Sequence, residues 1–185
     1  MKFTGLRFLL VLGLLNAGTD VMASTISLSP ASQNAAIGDT VAFDLNMDFT
    51  GDPTIGGGID IQFDSARLQY VGFTFDSGLG SDPAFTFAPT ETSAGKLTSL
   101  SFGNFSGLTG PAKIGTFNFK AIASGDALLS LSENAGGSAG NAGGFFNTAG
   151  GEQNPTFSGA GVTVAAAPVP LPAGLPLLSG ALMGL

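Results

Sequence analysis

Thr40-Val41-Ala42-Phe43-Asp44-Leu45-Asn46-Met47-Asp48-Phe49 decides the fold class. Val41, Phe43, Leu45, Met47 and Phe49 alternate with Thr40, Ala42, Asp44, Asn46 and Asp48. That period of two belongs to a strand with one face buried and the other in water. Ile59, Ile61 and Phe63 alternate in the same way with Asp60, Gln62 and Asp64. Leu68 and Tyr70 keep the pattern, which resumes one residue out of phase at Val71, Phe73 and Phe75. A β-bulge between Tyr70 and Val71 would return every apolar side chain of this stretch to one face.

Working outward, further strands are expected at 25–28, 85–87, 97–102, 114–122, 127–131 and 161–165. Gly38-Asp39, Gly51-Asp52-Pro53, Asp76-Ser77-Gly78 and Ser124-Gly125-Asp126 supply the turns between strands. No long stretch between 24 and 166 carries a helical period. The expected fold is an all-β, antiparallel jelly-roll sandwich of about nine strands. No repeat of 20–50 residues suggests a propeller or solenoid. Residues 135–151 (AGGSAGNAGGFFNTAGG) read as a long loop between the last two strands, with Phe145-Phe146 packing down on the core.

The chain has 185 residues, enough for one domain of about 100–150 residues with short appendages. Hydrophobic residues make up 44%, so a core can form, and charged residues only 10%, well under the usual ~25%. With no His and no Cys, the Ser-His-Asp triad, a Cys nucleophile, disulfides and ordinary zinc, haem or iron–sulfur sites are excluded. A net charge of −7 argues against nucleic acid, whose backbone needs a basic face. Sixteen Phe stand beside one Tyr and no Trp. Nearly all of the Phe read as core, which disfavours a flat aromatic platform for crystalline polysaccharide. A polar groove of Asn, Gln and Asp could still hold a sugar chain.

Both ends carry address signals. Lys2 and Arg7 precede an apolar run at 8–15, and Val21-Met22-Ala23 puts small or moderate side chains before a cleavage point between Ala23 and Ser24. Residues 1–23 therefore read as a signal peptide with a short helix. At the other end, residues 167–185 form a linker and tail: Val169-Pro170-Leu171-Pro172, then 173–185 (AGLPLLSGALMGL) without a charge. This tail resembles the PEP-CTERM sorting signal of Gram-negative bacteria. The resemblance implies a short apolar helix, recognition by an exosortase-type enzyme in the inner membrane, and transfer to the cell surface or extracellular matrix. Thirteen apolar residues fall short of the ~20 that span a bilayer, and the basic cluster of the family is missing, so the signal reads as incomplete.

Residues 24–166 resemble a cohesin-type domain. Ile26-Ser27-Leu28-Ser29-Pro30 and Ile37-Gly38-Asp39-Thr40-Val41 match its start. Gly58-Ile59-Asp60-Ile61-Gln62-Phe63-Asp64 followed by Leu68-Gln69-Tyr70-Val71 matches its strand, turn and second strand. Gly115-Thr116-Phe117-Asn118-Phe119-Lys120-Ala121 and Gly161-Val162-Thr163-Val164 match later strands. The resemblance implies a non-enzymatic binding module that contacts polysaccharide or a surface protein. The alternative is a structural protein of the biofilm matrix acting by self-association.

Two chemistries are weighed on residue type alone. Asp60, Gln62 and Asp64 would share a strand face at about 7 Å spacing, where paired carboxylates could cleave a glycosidic bond, but a solvated outer face is the expected reading. Asp44, Asp48, Asp52 and Asp82 lie in or near turns and are weak calcium candidates, with acidic solubilisation as the plain reading. No catalytic residue is assigned and no cofactor is expected.

Overall fold

A computed structural model describes residues 23–134 and 143–167. In chain order the strands are β1 (Thr25–Ser29), β2 (Ser32–Ala36), β3 (Thr40–Asp48), β4 (Thr54–Phe63) and β5 (Leu68–Phe75). A 3-10 turn at Pro83–Phe85 leads to β6 (Thr90–Ser93), β7 (Lys96–Leu108), β8 (Ala112–Ala121) and β9 (Gly125–Glu133). The last four are β10 (Phe145–Asn147), β11 (Glu152–Gln153), β12 (Thr156–Ser158) and β13 (Ala160–Ala165). The signal segment through residue 22 and the tail from 168, with the helices expected there, lie outside the described residues.

The strands build two stacked sheets. The first runs β12-β1-β3-β8-β5. The second has β4 at its centre: β7 and then β6 lie on one side, and β9, β13 and β2 follow on the other. Along that second side β10 replaces β9, so Phe146 pairs Gly56 while Ile59 pairs Glu133. The sandwich is as expected, and thirteen strands replace about nine because β2, β6, β10, β11 and β12 are short pieces in what read as connections. Two edge pairings, β1 with β12 and β13 with β2, are parallel rather than antiparallel. Residues 85–87 are not a strand: Phe85 ends the 3-10 turn and Phe87 makes a single bridge to Ser101.

The alternating side chains do what their period requires. Val41, Phe43, Leu45 and Met47 of β3 are buried, as are Ile59, Ile61 and Phe63 of β4. The register of β5 on β8 shifts between Tyr70 and Gly72, which is the expected bulge. It keeps Phe73 and Phe75 against the core beside Tyr70, but Val71 is the extra residue and points out, 60% exposed. A second bulge lies where Leu97 and Leu100 of β7 both face inward from a spacing of three. Ser99 takes φ 67° there, and the Asp60 carboxylate across the pair accepts its backbone N–H at 3.2 Å.

Tyr70 stands at the edge of the first sheet, 5.8 Å from the Phe119 ring. Burial pushes its phenol pKa up, and the negative charge of Glu91 on β6 adds to this. The neutral phenol is thus favoured by the fold, so this contribution to stability is complete below the ordinary Tyr value of ~10 and is lost as pH rises through the folded value. Tyr70 is the sole Tyr and there is no Trp, so phenolate absorbance reports this one group. Alkaline titration should give a midpoint above that of free tyrosine. Glu91→Gln should lower it only part of the way, because burial is the larger cause.

Candidate functional site

The carboxylates singled out by the sequence are structural in this fold. Asp60 accepts the Asn134 Nδ2 at 2.6 Å as well as the Ser99 N–H, with Lys96 Nζ at 3.9 Å. Its side chain is only 13% exposed, so Asp60 departs from the solvated row expected here, while Gln62 on the same face is exposed. Asp64 closes the turn after β4 by accepting the Ala66 N–H at 2.9 Å and pairing with Arg67. Asp60 and Asp64 thus have separate partners.

The calcium candidates are likewise spread apart. Asp44 holds Thr116 Oγ1 at 2.7 Å and Lys113 Nζ at 3.3 Å. Asp48 accepts the Thr50 hydroxyl at 2.6 Å and its N–H at 3.0 Å, and these bonds hold its carboxyl below the usual range. Asp52 meets Asn147 Nδ2 at 3.1 Å, and Asp82 caps the 3-10 turn through the Ala84 N–H at 2.8 Å. Among the described residues no three acidic groups gather around one point.

A different feature is an apolar concavity on the second sheet. An apolar groove of about 150 Å³ is lined by Ile55, Phe85, Phe105 and Phe146, with Gly56, Gly57 and Gly103 among its backbone. The glycines create it. Gly56 has φ +119°, and a Cβ there would meet the Phe102 carbonyl oxygen at 2.1 Å. A Cβ on Gly103 would lie 2.6 Å from the Ile55 carbonyl oxygen, and one on Gly57 2.6 Å from the Phe145 ring. β4 and β7 therefore approach closely, and the space above their bare backbone is left to the phenylalanines.

These rings correct the reading of nearly all Phe as core. Phe145 is fully buried, as expected, but its neighbour Phe146 is only half-buried and faces the groove. Phe105 is 72% exposed and meets Phe85 edge to face at 5.0 Å. The sequence signal that could have found them was present: Gly-Gly-Gly at 56–58 and Gly-Asn-Phe-Ser-Gly at 103–107 interrupt strand patterns with residues that pack nothing.

The two outer faces differ. On the first sheet Asp44, Lys113, Thr116 and Lys120 face out, and Lys113 also reaches Asp76 at 3.9 Å. The outer side of the second sheet carries Leu128 on β9, 75% exposed, with Phe87 and Phe105 beyond β4.

Urea titrations separate framework from surface. Asp60→Ala leaves the Ser99 N–H and the Asn134 amide without this acceptor and should cost about 1–3 kcal/mol. Gly56→Ala combines a left-handed backbone with a backbone clash and should cost at least about 2 kcal/mol. Phe105→Ala, at the surface, should stay within about 0.5 kcal/mol of the parent.

Compared with known proteins, the sequence matches no family model and no curated protein sequence. Its fold does match solved cohesin domains. The sixth cohesin of Acetivibrio cellulolyticus scaffoldin B, solved with a Cel5 dockerin mutant, has a TM-score of 0.62 at 14% identity, over 78% of this chain and 100% of that one. The cohesin of a Coh-OlpA–Doc918 complex from Clostridium thermocellum has a TM-score of 0.62 at 10% identity, over 78% and 100%. A non-cellulosomal cohesin from the archaeon Archaeoglobus fulgidus gives 0.57 at 11% identity, over 78% and 93%. The chain has the cohesin-type jelly-roll β-sandwich.

Proposed function

We propose that this chain is an exported, non-enzymatic module that binds another protein of the cell surface through the outer face of its second sheet. The observation that carries the reading is the difference between the two faces. Leu128 and Phe105 are the two most exposed large apolar side chains described, 75% and 72%, and both lie on the second sheet, whereas the most exposed one in the first sheet's strands is Val71, 60% exposed on edge strand β5. Exposed apolar area set in polar surroundings suits a protein partner better than it suits bulk water. Cohesins of the same fold are solved as complexes with dockerins, which supports a protein ligand over a polysaccharide.

Export rests on the terminal signals. β1 starts at Thr25 and the Ser24 carbonyl already accepts the Thr156 N–H at 2.8 Å, so cleavage between Ala23 and Ser24 would leave every described strand intact. Processing by an exosortase-type enzyme near Pro170-Leu171-Pro172 would release the domain at the cell surface or into the matrix. A second reading, matrix assembly by self-association, draws on β5. This edge strand, LQYVGFTF, has no charge and no Pro, the features that usually block edge-to-edge pairing.

A pull-down of envelope proteins with the purified chain, beside a glycan array, tests the reading. Leu128→Glu should weaken a retained protein partner about tenfold or more, and Val71→Glu on the first sheet should leave it unchanged. Retention of glycans only, or open-ended assembly in a light-scattering concentration series, would replace the first reading by one of its rivals.

A further inference from the structure

Three acidic residues on the elements around the groove between Phe85, Phe105 and Phe146 make no ion pair with a described Lys or Arg. Asp82 opens the 3-10 turn that carries Phe85, and its backbone N–H donates to the Gly103 carbonyl at 2.8 Å. Glu152 stands directly opposite Phe146 in the β10–β11 pair, so both side chains share one face. The point where a Gly144 Cβ would sit is 3.2 Å from Glu133 Oε1 and 3.3 Å from the Phe146 ring, which puts that carboxylate beside the ring. Arg67, Lys96 and Lys113 are engaged elsewhere with Asp64, Asp60 and Asp44, and Lys120 lies on the first sheet.

We infer that the groove takes one large apolar side chain from a basic segment of the partner protein, with Asp82, Glu133 and Glu152 holding the Lys or Arg residues that flank it. This rests on the protein-binding reading above. A cavity of about 150 Å³ is below the ~300 Å³ at which small-molecule sites begin, and it suits a single anchoring side chain. Anchors of this kind dominate binding when they enter a dry pocket, while the charged rim sets partner choice and association rate. The charge pattern selects the occupant. A second copy of this chain, at net −7, would bring like charge to an acidic rim, whereas a basic segment complements it.

Fluorescence anisotropy of the full chain with a labelled Lys-Lys-Phe-Lys-Lys peptide tests this, with Lys-Lys-Ala-Lys-Lys and Glu-Glu-Phe-Glu-Glu as controls. The basic Phe peptide should bind, and either control should lose about tenfold or more. Phe105→Ala should cause a similar loss while leaving the urea midpoint unchanged. Glu133→Gln combined with Glu152→Gln should weaken binding mainly at low salt and flatten its salt dependence, since screening already removes much of a rim interaction at ~0.15 M. Equal binding of the acidic peptide, no binding of the basic one, or indifference to Phe105→Ala would overturn the assignment. So would self-association that Phe105→Ala abolishes, which would give the groove to a second copy. An envelope protein weakened by Leu128→Glu but not by Phe105→Ala would sink the groove alone, whereas failure to retain any protein would sink the module reading beneath it.

Discussion

The Phe145 ring against the bare backbone of Gly57 is the contact on which the upper half of the sandwich depends. A Cβ at Gly57 would sit 2.6 Å from that ring, so the two can only pack because one has no side chain. Phe145 then stacks on Phe49 at 5.7 Å and meets Phe102 and Phe157 at 6.1 and 6.3 Å. Those rings come from the end of β3, from β7 and from β12, so one side chain on a three-residue strand joins both sheets. Its burial also fixes Phe146, because neighbours in a strand point to opposite faces. With one Phe held in the core, the next must stand outside, over the groove.

The same constraint explains the clustering of glycine at this end of the molecule. Gly56 and Gly103 are a cross-strand pair on β4 and β7, and each would drive a Cβ into the partner's backbone. Close backbone approach removes the side chains that would otherwise cover the outer face of the sheet. Phe85, Phe105 and Phe146 come in from the flanks, and they leave a concavity because they meet at its sides rather than over its centre.

Alternation made much of this fold readable. Strand β3, the second half of β4 and the bulge near Val71 all follow from apolar spacing, and the turn after β4 from the cohesin resemblance. What stayed hidden depends on partners distant in sequence. Leu97 and Leu100 break the period of two, and only the Asp60 carboxylate, 39 residues from Ser99, shows how the bulge between them is held. Asp60 looked like a member of a solvated row because its contacts with Ser99 and Asn134 come from two other strands' ends. The short strand β10 was hidden in a Gly-rich stretch whose composition signals a loop, and β11 and β12 in the short connection after it. Phe145 becomes a core residue only because Gly57 lies beneath it. The parallel edges also escaped notice, since a strand's direction against its neighbour leaves no mark on its own alternation.

The buried apolar cluster extends from Ile26 to Val164 and includes residues of both sheets, so it closes within the domain. With no Cys, the domain has no disulfide, and its stability rests on this packing and on the bonds that hold its bulges and turns. Changes at Gly56, Gly57 or Asp60 strike the framework that shapes the groove.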